Sequence, residues 1–483
     1  MSDRLERVRL LLAKHDQAHL LTFYGELDED AQSSLLSQVE MIDFALMDDL
    51  IKREVLEPGT EDQEQFASQL EPAPFHYFQS KEESEAFRGV GEALLNAGQV
   101  AAFTVAGGQG TRLGWTGPKG TFPGTPVTGK SLFQSFAEQI LASQRRYGCR
   151  IPWYIMTSRQ NDDATRSFFL DNNCFGLVRS EIYMFPQGEI PSVDATTGKI
   201  LLAEKGRIAM NPDGHGGSLR ALCASGAIED MQARGIQHIS YFQVDNPLVR
   251  VLDPVFIGVH ASADDSSAQM TSKMVSKIGP EERVGVFCKD HGKTKVIEYS
   301  NLPTELAHEK DSSGQLKFKA GSIAVHILGV PFIEQLGQPA AESESGVQLP
   351  WHRAHKKVSA VDLSTGTVIE PSEPNAVKFE TFVFDALQFA DQSAIMETSR
   401  EEEFAPIKNR EGTDSAVTSY LSQTVRAANW LSELGTEIPR KDEGGVSEVD
   451  AVIEISPLTA MDVEELSLSA LPDRIASGER VVL

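Results

Sequence analysis

A glycine-rich segment at residues 106–114 is the part of the sequence best suited to binding a phosphorylated ligand. It reads Ala-Gly-Gly-Gln-Gly-Thr-Arg-Leu-Gly and directly follows the apolar run 100–105. Glycines let the backbone approach a phosphate closely and point N–H groups at its oxygens. Arg112 adds a planar fork of donors, and Lys119 adds a point charge. A tight turn with two surface cations is the competing interpretation, but the preceding apolar run and the two cations favour a phosphate site.

A second phosphate-loop pattern occurs at residues 124–131, Gly-Thr-Pro-Val-Thr-Gly-Lys-Ser, which fits G-x-x-x-x-G-K-[ST] letter for letter. A true P-loop follows a buried strand. Residues 118–123, Pro-Lys-Gly-Thr-Phe-Pro, cannot form such a strand, and Pro126 removes a backbone donor. We therefore interpret the pattern as a chance match in which Ser131 caps the following helix. A P-loop kinase or ATPase is the weaker alternative.

The elements that position these loops alternate between strands and helices from residue 98 onward. This alternation predicts an α/β fold with a mostly parallel, doubly wound sheet. Residues 283–298 predict a hairpin, because apolar residues flank the polar turn Asp-His-Gly-Lys at 290–293. The predicted strands are 100–106, 151–157, 182–185 and 238–244, and the predicted helices are 131–146, 162–170 and 218–234.

The 483-residue chain is long enough for several domains, and three are predicted. Residues 1–97 form a helical N-terminal domain, 98–390 the catalytic domain, and 391–483 a small C-terminal domain. The N-terminal helices are predicted from apolar residues three and four apart, with a break at Pro58-Gly59. The predicted helices of this region are 5–12, 27–50 and 80–95.

Composition restricts the classes of partner and compartment. The net charge is 44 minus 70, or −26, which repels nucleic acid and anionic membranes at long range. No run of about 18 apolar residues is present, and the charged N-terminus is unlike a secretory signal. The cysteines are scattered without zinc spacing, which favours a reducing, cytoplasmic location. They are Cys149, Cys174, Cys223 and Cys288.

Several motifs in the same order resemble the UDP-sugar pyrophosphorylases, most closely the UDP-N-acetylhexosamine pyrophosphorylases. The resemblance implies a Rossmann-like, GT-A-like nucleotidyltransferase domain with a mixed sheet, flanked by helical N-terminal and small C-terminal domains. It also implies a Mg²⁺-dependent reaction of UTP with a sugar-1-phosphate, catalysed by a monomer or homodimer. The motifs are residues 106–114, 118–120, 212–217, 244–246, 296–300, 378–385 and 406–409.

The resemblance also assigns roles to individual residues. Arg112 and Lys119 would hold the leaving pyrophosphate, and Lys408 would screen repulsion between the two anionic substrates. Asp245, at the end of a predicted strand, would bind Mg²⁺. The predicted UTP-binding residues are Ala106, Gly107, Gly108, Gln187 and Gly214. The predicted sugar-binding residues are His215, Gly285, Glu298, Ser322, Phe382 and Phe384.

The identity of the sugar stays open at this point. His215 and Ser322 stand where N-acetylhexosamine members of the family usually have asparagine, and histidine there is more similar to the UDP-glucose enzymes. N-acetylglucosamine-1-phosphate is the first hypothesis, and glucose-1-phosphate or a broader set is the second. A non-catalytic nucleotide-sugar sensor is the third. His352 and His355, three apart on a predicted helix, suggest a metal pair, but an exposed basic face is the preferred interpretation.

Overall fold

The computed structural model describes residues 2–57, 69–338, 347–443 and 446–483. The chain forms two compact units, each built from segments that are distant in the sequence. The predicted domain boundaries stay a prediction, because compactness does not show which segments fold independently. The predicted break at Pro58-Gly59 lies outside the described residues. The first unit comprises Met1–Phe66, Gln187–Ser218 and Leu349–Val383, and the second comprises Ala67–Pro186, Leu219–Gln348 and Phe384–Leu483.

The second unit contains a mixed sheet of ten strands within the described residues. Val100–Val105 pairs in parallel with His238–Gln243 on one side and with Trp153–Thr157 on the other, as predicted for these strands. The prediction of a mostly parallel sheet is wrong, because the strands beyond His238–Gln243 pair mainly antiparallel. Ala320–Gly329 then pairs antiparallel with His238–Gln243. The order is Leu70–Pro72, Val286–Asp290, Ala320–Gly329, His238–Gln243, Val100–Val105, Trp153–Thr157 and Ile182–Pro186, with Lys293–Ile297, Met270–Ser276 and Ile395–Glu397 at the sides.

Serine caps fix the starts of three long helices of this unit, at Ser80, Ser131 and Ser415. The Ser131 hydroxyl accepts a hydrogen bond from the N–H of Gln134 (3.1 Å), so the helix begins at Leu132 as predicted. The predicted single helix 218–234 is wrong, because Gly226 has φ +80° and ends the first helical segment. The helices are Lys81–Asn96, Leu132–Tyr147, Asp162–Asp171, Gly217–Ala224, Ala227–Arg234, Pro254–Ser262, Thr304–His308, Val330–Gly337, Arg400–Glu403, Ala416–Glu433 and Val463–Leu466.

The predicted hairpin is confirmed. Val286–Asp290 and Lys293–Ile297 pair antiparallel, and His291 and Gly292 between them both have positive φ, as a tight hairpin turn requires. Beyond residue 425 a separate apolar cluster around Trp430, Leu431 and Ile453 holds the C-terminal segment. The remaining strands of this unit are Arg440–Glu443, Val446–Val449, Val452–Glu454 and Arg480–Val482.

The first unit combines N-terminal helices with short strands around a core of its own. Val8 and Leu12, on one face of the first helix, are buried in this core, which confirms the predicted amphipathic pattern. The predicted helix at His352 and His355 is wrong, because these residues lie in the strand Trp351–Lys356 and point to opposite faces. The helices are Ser2–Lys14, Glu29–Glu40 and Phe44–Leu50, followed by the π-helical turn Ile51–Leu56. The strands are Glu189–Pro191, Val193–Asp194, Leu202–Glu204, Arg207–Ile208, Met210–Pro212, Trp351–Lys356, Ala360–Val361, Val368–Ile369 and Ala376–Thr381.

Across the described ranges, none of the helices has both the length and the apolar character needed to cross a membrane.

Candidate active site

The glycine-rich loop lies at the carboxyl end of the strand Val100–Val105, where open α/β sheets bind ligands. The N–H of Lys119 donates to the carbonyl of Gly108 (3.1 Å) and closes the loop. The buried amide of Asn161 donates to the carbonyls of Ala106 (3.1 Å) and Gly108 (3.4 Å). This amide fixes the predicted UTP-binding backbone, a role that the sequence analysis did not assign to Asn161. The backbone so held comprises Ala106, Gly107 and Gly108.

Arg112 lies in the short turn Thr111–Leu113 that follows the loop and is exposed. Its guanidinium makes no hydrogen bond or ion pair with any residue that the structure describes, so its donors are available to a ligand. The turn itself needs glycine at 110, because a Cβ there would lie 2.8 Å from the Cβ of Trp115. Packing therefore sets the shape of the loop, and the Arg112 guanidinium is not needed to stabilise it.

Lys119 and Asp245 are brought together at the carboxyl edge of the sheet. Asp245 follows the strand His238–Gln243, and its Oδ2 lies 3.4 Å from the Lys119 Nζ. The two side chains are only 15% and 13% exposed, so their charges act with little screening. The Oδ1 atom of Asp245 accepts no hydrogen bond from the described part of the chain, which leaves one oxygen for a cation.

Lys408 is held next to Asp245 by a backbone contact. The N–H of Ile407 donates to the carbonyl of Asp245 (2.8 Å). The Lys408 Nζ lies 3.6 Å from the Asp414 Oδ2 and 5.8 Å from the centre of the Phe404 ring, and its side chain is 40% exposed. Four predicted site residues line one pocket of this unit: Asp245, Gly285, Ser322 and Lys408.

Two of the predicted sugar-binding residues in this unit are joined through the backbone. The N–H of Ser322 donates to the carbonyl of Gly285 (2.8 Å). A Cβ at Gly285 would lie 2.7 Å from the Cγ1 of Val296 and 3.6 Å from the Oε1 of Glu298, so glycine is needed beside this carboxylate. Phe384 is buried and does not line the pocket.

The remaining predicted residues belong to the first unit. The Gln187 amide donates from Nε2 to the carbonyl of Gly214 and to the Asp213 Oδ1, both at 3.3 Å. Asp213 is buried, and a Cβ at Gly188 would lie 2.6 Å from its Oδ2. Gly214 has φ +84°, and a Cβ there would lie 2.3 Å from the carbonyl oxygen of Thr381. These contacts orient Gln187 and leave its Oε1 as an acceptor.

His215 lies in a stack of three rings within the first unit. Phe382 packs against His215 with ring centroids 5.3 Å apart and against His352 at 4.5 Å. Burial lowers the pKa of His215 to about 4, with a smaller contribution from His352. Its Nδ1 accepts a hydrogen bond from the N–H of Val383 (3.1 Å), so the neutral ring carries its proton on Nε2. The position of His352 in this stack is not predicted by any local pattern in the sequence.

The donor set at Asp245 fits magnesium. In the described ranges no cluster of three or more His, Cys, Asp or Glu side chains could hold a metal ion. A single carboxylate oxygen suits Mg²⁺, because this ion keeps several waters and is completed by substrate phosphates. Zinc, which needs three or four nitrogen or sulfur ligands, does not fit this site.

The Walker-like residues 124–131 have a structural role. The N–H groups of Val127 and Thr128 both donate to the Glu454 Oε2 (2.9 Å each), and the Lys130 Nζ lies 2.8 Å from the Glu138 Oε2. The segment Lys119–Thr121 that precedes the pattern is a short 3₁₀ turn rather than a strand. The structure therefore supplies protein carboxylates where a P-loop would bind phosphate, in agreement with the predicted chance match.

The chain is similar to known proteins over most of its length. UDP-N-acetylhexosamine pyrophosphorylase-like protein 1 of Xenopus tropicalis is 36% identical over 491 residues, covering 97% of this chain and 94% of that protein. UDP-N-acetylglucosamine pyrophosphorylase of Saccharomyces cerevisiae is 36% identical over 395 residues, covering 80% of this chain and 79% of that protein.

Solved structures and family models give the same result. The crystal structure of uridine diphosphate N-acetylglucosamine pyrophosphorylase from Trypanosoma brucei, in complex with an inhibitor, matches with a TM-score of 0.79 and 28% identity over 98% of both chains. This match confirms the predicted α/β fold with a mixed sheet. The family model described as UTP–glucose-1-phosphate uridylyltransferase matches residues 57–422. The chain therefore belongs to the UTP–glucose-1-phosphate uridylyltransferase family and is a nucleotidyltransferase.

Proposed function

We propose that this enzyme joins N-acetylglucosamine-1-phosphate to the uridylyl group of UTP and releases pyrophosphate. The observation that carries the proposal is the arrangement of Lys119, Asp245 and Lys408 at the carboxyl edge of the sheet in a member of this family. The attacking oxygen belongs to a phosphate and is already ionised, so the reaction needs no general base. Catalysis then comes from positioning and from neutralising charge.

Each cation has a place in that scheme. Arg112 and Lys119 hold the departing pyrophosphate. The N–H groups of Arg112 are available for this, because they make no hydrogen bond among the described residues. Lys408 reduces the repulsion between the two anionic substrates. Asp245 would hold Mg²⁺ through its unpaired Oδ1, and the bound ion would add charge neutralisation at the phosphate oxygens.

Recognition of the uracil base is assigned to Gln187 and to the backbone at Gly214. The Gln187 Nε2 already donates hydrogen bonds to Gly214 and Asp213. Its Oε1 is therefore the atom that would accept a hydrogen bond from the N3–H of uracil. Gln187 and the Gly214 backbone are set for a pyrimidine edge, so UTP should be used far better than the purine nucleotides ATP and GTP. Gln187→Ala should weaken the use of UTP and relax this preference.

Glucose-1-phosphate is the second candidate substrate, favoured by His215 and Ser322. The yeast and Trypanosoma relatives are named for N-acetylglucosamine, which supports the first candidate. A non-catalytic sensor is disfavoured, because Arg112, Lys119, Asp245 and Lys408 are all retained. We also propose a reducing, cytoplasmic location, which the four free thiols support.

The test is pyrophosphate release from UTP with a panel of sugar-1-phosphates, measured with and without Mg²⁺. We expect the highest kcat/KM with N-acetylglucosamine-1-phosphate, a lower but measurable value with glucose-1-phosphate, and loss of activity with EDTA. ATP in place of UTP serves as the nucleotide control. Equal turnover with ATP, or full activity on glucose-1-phosphate with none on N-acetylated sugars, would contradict the proposal.

A further inference from the structure

A second cavity in the second unit lies next to the pocket that contains Asp245, and Val249 lines both. Its walls come from the helices Leu132–Tyr147 and Ala416–Glu433, the segment 247–254 and the segment 453–462. Five basic side chains line it: Arg88, Lys130, Arg146, Arg250 and Arg426. The residues assigned to UTP, to the sugar and to Mg²⁺ are not among those that line this cavity.

The carboxylates that line this cavity are already engaged by other groups of the protein. Each accepts a hydrogen bond or pairs with a cation at 3.0 Å or less. Among the described residues, none of them forms a direct ion pair with Arg250 or Arg426. The pairs are Glu138 with Lys130, Asp253 with Lys273, Asp462 with Arg146, and Glu454 with the N–H groups of Val127 and Thr128.

Arg426 has no carboxylate partner within 4 Å in the part of the chain that the structure describes. Its Nη1 donates only to the carbonyls of Leu248 (3.5 Å) and Glu402 (3.2 Å). Its guanidinium lies over the Trp430 ring, 5.1 Å from the centroid. Burial lowers the pKa of Arg426 to about 10; the charge of Glu402 opposes this shift, and the charge of Arg250 adds to it. The side chain is still protonated at neutral pH, and it lines the cavity without a directly paired carboxylate among the described residues.

Only some of the hydrogen-bond donors of the Arg250 guanidinium have acceptors among the described residues. Its Nη2 donates to the Glu402 Oε2 (3.2 Å), and that carboxylate also accepts the Trp430 Nε1–H (3.0 Å to Oε1). The Arg250 Nε is buried and has no hydrogen-bond partner within the described ranges. A buried donor left in this state is costly, and a bound acceptor would remove that cost.

We propose that this cavity binds a small phosphate-bearing molecule, with the phosphate between Arg250 and Arg426. Planar guanidinium groups match oxyanions bidentately, and two of them suit a dianionic phosphate better than a monocarboxylate. The neighbouring walls contain Tyr147, Trp430 and Met461, which can cover the organic part of such a molecule. This site is separate from the residues assigned to UTP and the sugar.

Inorganic phosphate is the probe, titrated into the full-length protein by calorimetry and followed by tryptophan fluorescence, because Trp430 lines the cavity. We expect saturable binding that Arg426→Gln weakens at least about tenfold, since a charged hydrogen-bond donor is removed. The matched control is Arg145→Gln, an exposed arginine on the helix Leu132–Tyr147, which should bind as the native chain does. Acetate should bind at least about tenfold more weakly than phosphate.

Arg112→Gln distinguishes phosphate binding in the cavity from phosphate binding in the candidate active site. This variant should still bind phosphate in the cavity. Arg250→Gln gives an independent test if Arg426→Gln loses its native circular dichroism spectrum. The proposal fails if the native protein shows no saturable phosphate binding, or if binding survives Arg426→Gln and Arg250→Gln. It also fails if Arg112→Gln abolishes all binding, or if acetate binds as well as phosphate.

Discussion

The 3.4 Å contact between the Lys119 Nζ and the Asp245 Oδ2 places a cation and the candidate metal ligand side by side. We expect Asp245→Ala to abolish magnesium-dependent turnover with the fold intact, because the only carboxylate assigned to the ion is lost. Arg112→Ala and Lys408→Ala should each lower kcat at least about a hundredfold, since each removes charge stabilisation in the transition state. Steady-state kinetics with circular dichroism checks this, and a near-normal Asp245→Ala enzyme would refute the assignment.

Lys130 provides a contrasting prediction. Its Nζ pairs with Glu138 at 2.8 Å and donates to the Ser456 hydroxyl at 3.3 Å, so its charge is used within the protein. We expect Lys130→Ala to change kcat by no more than about threefold while lowering the free energy of unfolding by about 1 kcal/mol. Kinetics and urea unfolding of the same preparation separate the two effects. A folded but inactive variant would restore the P-loop interpretation.

The sugar preference is predicted to depend on His215 and Ser322. The neutral His215 ring can donate from Nε2 but has its Nδ1 occupied by the Val383 N–H, whereas an asparagine amide can donate and accept at once. Ser322 is shorter than asparagine and leaves room for a water. We expect His215→Asn with Ser322→Asn to raise the kcat/KM ratio of N-acetylglucosamine-1-phosphate over glucose-1-phosphate by about tenfold. An unchanged or lower ratio would show that these residues do not select the sugar.

At the level of elements, local signals in the sequence were sufficient for the parallel strands and the capped helices. Ser131 caps the helix Leu132–Tyr147 as predicted, and Gly148, in a left-handed conformation, ends it. The strands Met270–Ser276 and Ala320–Gly329 were not predicted, because their pairing joins segments far apart in the chain. The helix predicted at His352 is a strand, because a short basic run has no periodicity that distinguishes the two.

At the candidate site too, local motifs can be read from the sequence, whereas contacts between distant segments cannot. The glycine-rich loop and Lys119 could be predicted because the whole motif is contiguous. The supporting amides of Asn161 and Asn246 could not, because each reaches a carbonyl on another segment of the chain. The Asn246 Nδ2 donates to the carbonyl of Glu403 at 2.6 Å, a residue 157 positions away.

Asn246 is the positioning residue for which this arrangement makes a prediction. It is buried, and its Oδ1 also accepts from the N–H of Ala405 (3.1 Å), so it fixes the segment that leads to Lys408. We expect Asn246→Ala to lower kcat about tenfold or more while the Kd for UTP changes little, because Lys408 loses its position but the nucleotide contacts stay. A parallel loss of UTP affinity, or a normal kcat in the folded variant, would contradict this role.

On the scale of the whole molecule, buried neutral histidines make the free energy of unfolding depend on pH. His238 and His260 lie in the second unit with their rings joined by a 3.2 Å contact between His238 Nδ1 and His260 Nε2, and the His260 Nδ1 contacts the Thr271 hydroxyl at 2.9 Å. Burial lowers the pKa of His238 to about 4 and that of His260 well below its usual value. Both rings therefore stay neutral in the folded protein near pH 5.

The unfolded chain takes up these protons near pH 6.5, so between about pH 6.5 and 4 it binds more protons than the folded protein does. The free energy of unfolding must then fall as the pH falls, by about 1.4 kcal/mol per pH unit for each buried histidine. We expect urea unfolding at pH 7.5, 6.5, 5.5 and 4.5 to show this loss, and His260→Gln to reduce its slope by about one proton. The quantity to compare is the slope of the free energy of unfolding against pH, because His260→Gln also removes a packed ring and lowers stability at every pH. An unchanged slope in His260→Gln would mean that His260 is already protonated in the folded protein across this range.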